Sequence, residues 1–269
     1  MPSVVSAVPN GTRVARLFRK ARGFANARTC DLEHVLAEDG IEVVESECAN
    51  PGYAACLVTV GEGMPAGILL APGQSRGRRR FSIAHELGHY HIPTHRRHAN
   101  RPCGEKDFSA NTVGKDDLEI EANDFAVEIL MPRAPFLADS AKLTPSIESV
   151  LRLAAEDMYD VSVTAAALRY VRLSGEACAL VSSRDGKVDW AIRSDSFFYR
   201  IPSKGDALPM QSLARFTHAG EAPTHGAHSL DPHTWFELEQ RGDPELFEST
   251  HAIPSQRQVL SLLWTVADR

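Results

Sequence analysis

Hydrophobic and polar positions along the chain follow two periods. Residues 12–23 place Val14, Leu17, Phe18 and Ala21 at spacings of 3, 1 and 3, which is one face of a helix. Arg13, Arg16, Arg19, Lys20 and Arg22 form its solvated remainder. Residues 29–39 read as a second helix stopped by Gly40. Short strand-like runs follow at Ile41–Val44, Ala54–Val60 and Gly67–Leu70, punctuated by Gly and Pro. Residues 77–92 read as a helix ending before Pro93, and 93–116 as a polar, irregular surface loop. The stripe Leu118, Ala122, Phe125, Ala126 and Ile129 predicts a helix over about 117–130, closed by Met131-Pro132.

Beyond residue 140 the pattern predicts two helices around a tight turn. Leu151, Ala154, Ala155 and Met158 line the first. Asp160-Val161-Ser162 makes the turn, and Val163, Ala166, Ala167, Tyr170 and Val171 line the second. From Gly175 the period shortens. Ala177–Ser182 and Lys187–Ile192 read as a hairpin across Arg184-Asp185-Gly186, and an apolar run covers Val259–Val266. The result is an α+β chain without internal repeats. It divides at 1–140, 141–175 and 176–269.

Composition narrows this picture. With 269 residues, 43% hydrophobic and 24% charged, the chain has room for one large domain or two ordinary ones and for a sizeable core. No apolar run approaches the ~20 residues of a membrane helix. The net charge of −6 gives no global attraction to nucleic acid. Five scattered cysteines without a Cys-x-x-Cys pair argue against a disulfide framework and for a reducing, cytoplasmic setting. The unusual count is 11 histidines, five of them between 85 and 98.

That cluster contains His85-Glu86-Leu87-Gly88-His89, a His-Glu-x-x-His pattern on a predicted helix. Residues four apart lie on one helical face, so both imidazoles can reach one Zn²⁺. Glu86 lies between them, close to the metal but not a ligand. It can take a proton from the attacking water and pass it to the leaving amine. A catalytic zinc needs a third protein ligand and an open position. His95 stands ten residues after His85, the metzincin offset, but Ile92-Pro93 replaces the glycine turn those enzymes need. The helix at 117–130 offers a carboxylate in the gluzincin manner. Glu119 and Glu121 border its apolar stripe on opposite sides, so only one can face the metal. Glu119 has Asn123 at i+4, suited to orienting a ligand from behind. Glu119 is the first choice, with Glu121 second and His95 third.

The run Arg79–His91, followed by Glu119-Ile120-Glu121-Ala122-Asn123-Asp124-Phe125 and its continuation to Met131-Pro132, resembles the ImmA/IrrE family of zinc metallopeptidases. The Gly67–Leu70 strand and the Leu-Leu-Trp run at 262–264 fit the same resemblance. It implies a minimal gluzincin-like peptidase domain with zinc held by His85, His89 and Glu119, and Glu86 as catalytic base. It also implies a helix-turn-helix-like connector at 141–175 and a GAF-like α/β sensor domain at 176–269 that takes a small-molecule effector. Family members typically cleave an Xre-type helix-turn-helix repressor, which derepresses stress-response or mobile-element genes.

The remaining features add little chemistry. Residues 141–175 carry four basic and four acidic residues, so direct DNA binding is not expected of the helix pair. A DNA-binding or scaffold regulator with a structural zinc is the competing class. Intact Glu86 speaks against it, since a structural site needs no base. His218, His225, His228 and His233 lie in Gly/Pro-rich sequence and read as loop residues. Cys103 reads as an exposed thiol. Arg76, Arg78, Arg79 and Arg80 read as a solvated helix start, or as cations steering an acidic substrate segment.

Overall fold

The computed structural model describes residues 10–47, 53–59, 66–98, 103–104, 116–221, 226–236 and 244–266. His225 and Cys48 lie outside these residues. The chain forms a mixed α+β structure with eight α-helices and two sheets among the described residues. It separates into two compact units. One comprises the chain up to Phe136 together with Glu156–Ser162. The other comprises Leu137–Ala155 and Val163–Arg269.

The first unit begins with α1 (Asn10–Ala21) and α2 (Leu32–Asp39). Asp31 caps α2 by accepting from the His34 N–H, and Gly40 ends it in the left-handed region (φ 65°). Strands β1 (Ile41–Glu45), β2 (Tyr53–Thr59) and β3 (Ala66–Leu70) follow, then α3 (Arg76–His91), a 3₁₀ turn over Pro93–His98 and the short β4 (Cys103–Gly104). The sheet order is β1-β3-β2-β4. β1 runs parallel to β3, while β2 is antiparallel to both β3 and β4. In β3 the period of two buries Ala66, Ile68 and Leu70, and in β2 Ala54–Leu57 are all buried. α3 packs on this sheet, α4 (Asp117–Leu130) on α3, and α1 on α4. Asp116 caps α4 by accepting from the Leu118 N–H at 3.2 Å.

Two glycines set how closely these helices approach. A Cβ on Gly88 of α3 would stand 3.1 Å from Ala122 Cα and 3.2 Å from Phe125 Cβ of α4. One on Gly11 of α1 would stand 1.9 Å from the Glu121 carbonyl oxygen. The amphipathic face of α1 also differs from the sequence reading. Leu17 is 62% exposed, whereas Arg19 is only 2% exposed. Arg19 donates to Ile129 O at 2.6 Å, to Phe24 O at 2.8 Å and to Ala27 O. Three carbonyls offset its desolvation, so a charged residue occupies a position that periodicity gives to solvent. Burial pushes its pKa down.

The Glu156–Ser162 piece completes the first unit. Asp160, with φ 51°, receives Arg76 through paired bonds of 2.8 and 2.9 Å, and its carbonyl accepts from Arg80 at 3.0 Å. Arg79 pairs with Glu45 at 3.0 Å. Arg76, Arg79 and Arg80 at the start of α3 are thus engaged within the unit.

The second unit holds α6 (Ile147–Ala154), α7 (Val163–Leu173), β5 (Cys178–Arg184), β6 (Lys187–Arg193), α8 (Leu213–Ala219), β7 (His228–Leu230), β8 (Glu245–Ile253) and β9 (Gln258–Val266). The preceding helix, α5 (Arg133–Ser140), runs across the division. The sheet is antiparallel in the order β6-β5-β9-β8-β7. Asp185 (φ 50°) and Gly186 (φ 75°) form the two-residue turn between β5 and β6. Phe197, Leu208, Trp235, Phe236, Leu246 and Leu263 fill its core. α7 buries Ala166, Ala167, Tyr170 and Val171, as the period requires. α6 instead buries Ile147, Val150 and Leu153, so its inner face is rotated from the Leu151–Met158 stripe. Glu248 is fully buried on β8 and accepts from the N–H groups of Leu213, Ala214 and the Trp235 indole at 2.8–2.9 Å, which seats α8.

Candidate metal centre

α3 carries His85, Glu86 and His89 on its inner side, and α4 brings Glu119 and Asn123 to it, with Glu121 turned toward His95 and Asn10. The close crossing at Gly88 is what lets a Glu119 carboxylate reach the imidazoles. His85 Nε2 lies 3.1 Å from His89 Nε2 and 3.1 Å from Glu119 Oε2, and His89 Nε2 lies 3.5 Å from Glu119 Oε1. The Cys103 thiol joins them, with Sγ 3.8 Å from His89 Nε2 and 3.9 Å from Glu119 Oε1. One donor atom from each of the four lies within 4.8 Å of all the others.

The groups behind the imidazoles fix which nitrogen carries the proton. Asn123 Oδ1 stands 3.1 Å from His85 Nδ1 and can only accept, so His85 is protonated at Nδ1. On the other side Glu121 Oε2 accepts from His95 Nε2–H at 3.1 Å, and His95 Nδ1 then accepts from His89 Nδ1–H at 3.0 Å. Asn10 Nδ2 of α1 donates to Glu121 at 2.7 Å and anchors this relay. Burial pushes the pKa of His95 down, consistent with its neutral role. That leaves both Nε2 atoms as acceptors on the inner side of the site. Two such acceptors at 3.1 Å repel unless a cation sits between them.

The spacing suits one ion. Nitrogen or oxygen donors ~2.0–2.2 Å from a shared tetrahedral centre lie about 3.3–3.6 Å apart, and a sulfur at ~2.3 Å lies about 3.6 Å from either. Burial would raise the pKa of Glu119, but His85 and His89 more than offset it and hold the carboxyl well below the usual carboxylate range. Glu86 differs. It is 1% exposed, and neither carboxylate oxygen meets hydrogen-bond geometry with a described partner. Burial pushes its pKa up, against the pull of the two imidazoles and of the Cys103 thiol, which lies near enough to draw it down.

His85, His89 and Glu119 therefore come together, with Glu86 beside them. His95 and Glu121 lie behind His89, outside the converging group. Cys103 is the residue the sequence reading missed. It is 3% exposed rather than a surface thiol, because β4 pairs with β2 through Ala55↔Cys103 and Tyr53↔Gly104. A two-residue strand formed by distant pairing leaves no periodicity in the sequence. Only its place shortly after a histidine cluster hinted at it.

Two crossed helices that converge imidazoles and a carboxylate on one point define a metallopeptidase-type unit. Residues 38–170 match the model of the Peptidase M78 family, described as the IrrE N-terminal-like domain, and this stretch of the chain is such a domain. Among solved structures it is similar to a Mycobacterium tuberculosis transcriptional regulator, at 14% identity with a TM-score of 0.61. That likeness covers 96% of this chain and 89% of the other, and it shows the shared fold. No curated protein matches the sequence.

Proposed function

We propose that the protein is a zinc-dependent, site-specific endopeptidase that cleaves a partner Xre-type repressor in the cytoplasm, relieving repression of stress-response or mobile-element genes. The observation that carries this is the pairing of a convergent His85, His89 and Glu119 set with a buried, unbonded Glu86 carboxylate on the same helix. A site built only to hold a metal has no use for an unsatisfied carboxylate there, where leaving it unbonded costs about 1–3 kcal/mol or more.

Zinc, when bound, supplies Lewis-acid polarisation of the scissile carbonyl and acidifies water. The chain supplies the rest. His85, His89 and Glu119 hold the ion, and Asn123 and His95 fix the tautomers that aim both Nε2 atoms inward. Glu86 takes the proton of the attacking water on its carboxylate and delivers it to the leaving amine. Its burial keeps bulk water from competing for that proton. Residues 176–269, with the antiparallel sheet of the second unit, are read as the GAF-like sensor that takes a small-molecule effector. The neutral α6–α7 pair is read as the helix-turn-helix-like connector or repressor dock, not a DNA reader.

The test is Glu86→Gln in the full chain, with zinc content measured alongside cleavage of a candidate Xre-type repressor. Zinc is expected to stay and cleavage to disappear. A Gln variant that still cleaves removes Glu86 from the mechanism. Glu119→Ala is expected to lose zinc. The competing reading, a regulator with a structural zinc, is favoured by one observation, the nearness of a fourth donor at Cys103.

A further inference from the structure

We infer that Cys103 is a fourth protein ligand of this centre, and that its thiolate closes the position a peptide substrate needs, so the resting site is shut until the thiol is displaced. Three observations support the ligation. The Sγ distances of 3.8 and 3.9 Å to His89 Nε2 and Glu119 Oε1 match the edge lengths of an N₂OS tetrahedron, about 3.6 Å. The thiol is 3% exposed, so its orientation is set by the fold. And β4, which delivers it, pairs with β2 at the end of the described sheet order.

The same geometry makes this ligand the exchangeable one. His85, His89 and Glu119 sit on α3 and α4, two helices of 16 and 14 residues packed face to face. Cys103 sits on β4, whose described residues Cys103 and Gly104 pair with β2 across a register shift. Withdrawing His85, His89 or Glu119 unpacks a helix, whereas Cys103 is held from the strand that ends the described sheet order. On binding the ion the thiol gives its proton to solvent, and on release the thiolate takes one back, so no oxidant or reductant is involved. Four ligands make a closed site and three an open one. A closed resting state also reconciles a four-donor set with the unbonded Glu86 beside it.

The ligation stands on geometry alone, and its consequence for turnover rests on the peptidase reading. Both are tested on the full chain stripped of metal and reloaded with Co²⁺. Wild type is expected to show near-ultraviolet thiolate-to-cobalt charge transfer together with the visible bands of four-coordinate cobalt. Cys103→Ser should lose the first, and its Co²⁺ affinity should fall by about tenfold or more. Cys103→Ala, checked for folding by circular dichroism, should behave alike. No charge transfer in wild type, or charge transfer unchanged in both variants, overturns the ligation even if the repressor is cut. If the closed form exceeds about nine-tenths of molecules, zinc-loaded Cys103→Ser should cleave the repressor about tenfold faster than wild type. Equal or slower cleavage overturns the gating. Charge transfer lost on substitution, with no form cleaving anything, sustains the ligation and sinks the peptidase reading instead.

Discussion

Gly11→Ala is the sharpest structural prediction. The new methyl would stand 1.9 Å from the Glu121 carbonyl oxygen, 2.8 Å from its carbon and 3.1 Å from Asp124 Cβ. Carbon and oxygen rest at about 3.3 Å or more, so α1 and α4 must separate by roughly 1.4 Å at that point. The bonds that dock α1 on α4 are Asn10–Glu121 at 2.7 Å, Arg16–Glu128 at 3.0 Å and Arg19–Ile129 O at 2.6 Å. A shift of that size takes them to about 4 Å, beyond hydrogen-bond range. Overpacking costs about 1–3 kcal/mol, and a weakened buried charged bond another 1.5–3. The expected loss is about 3–5 kcal/mol. Urea unfolding followed by far-ultraviolet circular dichroism reads it. The tryptophans, at 190, 235 and 264, all lie in the second unit, so their fluorescence reports separately on that half. Gly175→Ala, with no atom within 4 Å of the added carbon, is the neutral control. A Gly11→Ala protein within about 0.5 kcal/mol of wild type would refute a rigid α1–α4 contact.

Other outcomes follow from the same contacts. His95→Leu should keep one zinc per chain but bind it about 10–100-fold more weakly, because His89 loses the acceptor that fixes its tautomer, as metal competition with a chromophoric chelator would read. Glu248→Gln should cost about 1–3 kcal/mol in urea, since the amide nitrogen turns a donor toward the N–H groups of Leu213 or Ala214. Burial pushes the His218 pKa below 6.5. The unfolded chain therefore takes up a proton there before the folded one does. Stability from this group is full above pH 6.5 and lost as pH falls through the folded value. His218→Gln should flatten that slope in melts across pH 5–8.

The sequence exposed the parts of the site that rest on helical spacing. Residues 85 and 89 lie one turn apart on α3, as 119 and 123 do on α4, and that period is visible in any window. The pairing of α3 with α4 was also legible, through the carboxylate and small residues on the stripe. What escaped depends on distant contacts. Cys103 enters through a two-residue strand whose partner lies some fifty residues earlier. His95 acts on His89 through a 3₁₀ turn that breaks the helical period, so it read as a rival ligand and not as the group behind one. Arg19 is buried because three loop and helix-end carbonyls, from Phe24, Ala27 and Ile129, converge on it. No local pattern announces such convergence. The inner face of α6 moved for a similar reason. Its apolar residues offer two overlapping stripes, and packing in the second unit selects the one through Ile147, Val150 and Leu153.

The seven residues from Glu156 to Ser162 give the first unit a seam in time as well as in space. A ribosome finishes α4, and with it Glu119, before Asp160 has been made. Until then Arg76 and Arg80, at the head of the helix that carries His85 and His89, have no carboxylate to receive them. The same seam defeats the obvious truncation. A protein cut after residue 140 keeps all four donors and Glu86 but leaves those guanidinium groups and the ring of Phe136, which packs 5.0 Å from Tyr159, without their partners. A minimal peptidase would have to carry this heptapeptide grafted back by a short linker. In the natural chain, synthesis of the second unit must already be under way before the first can close.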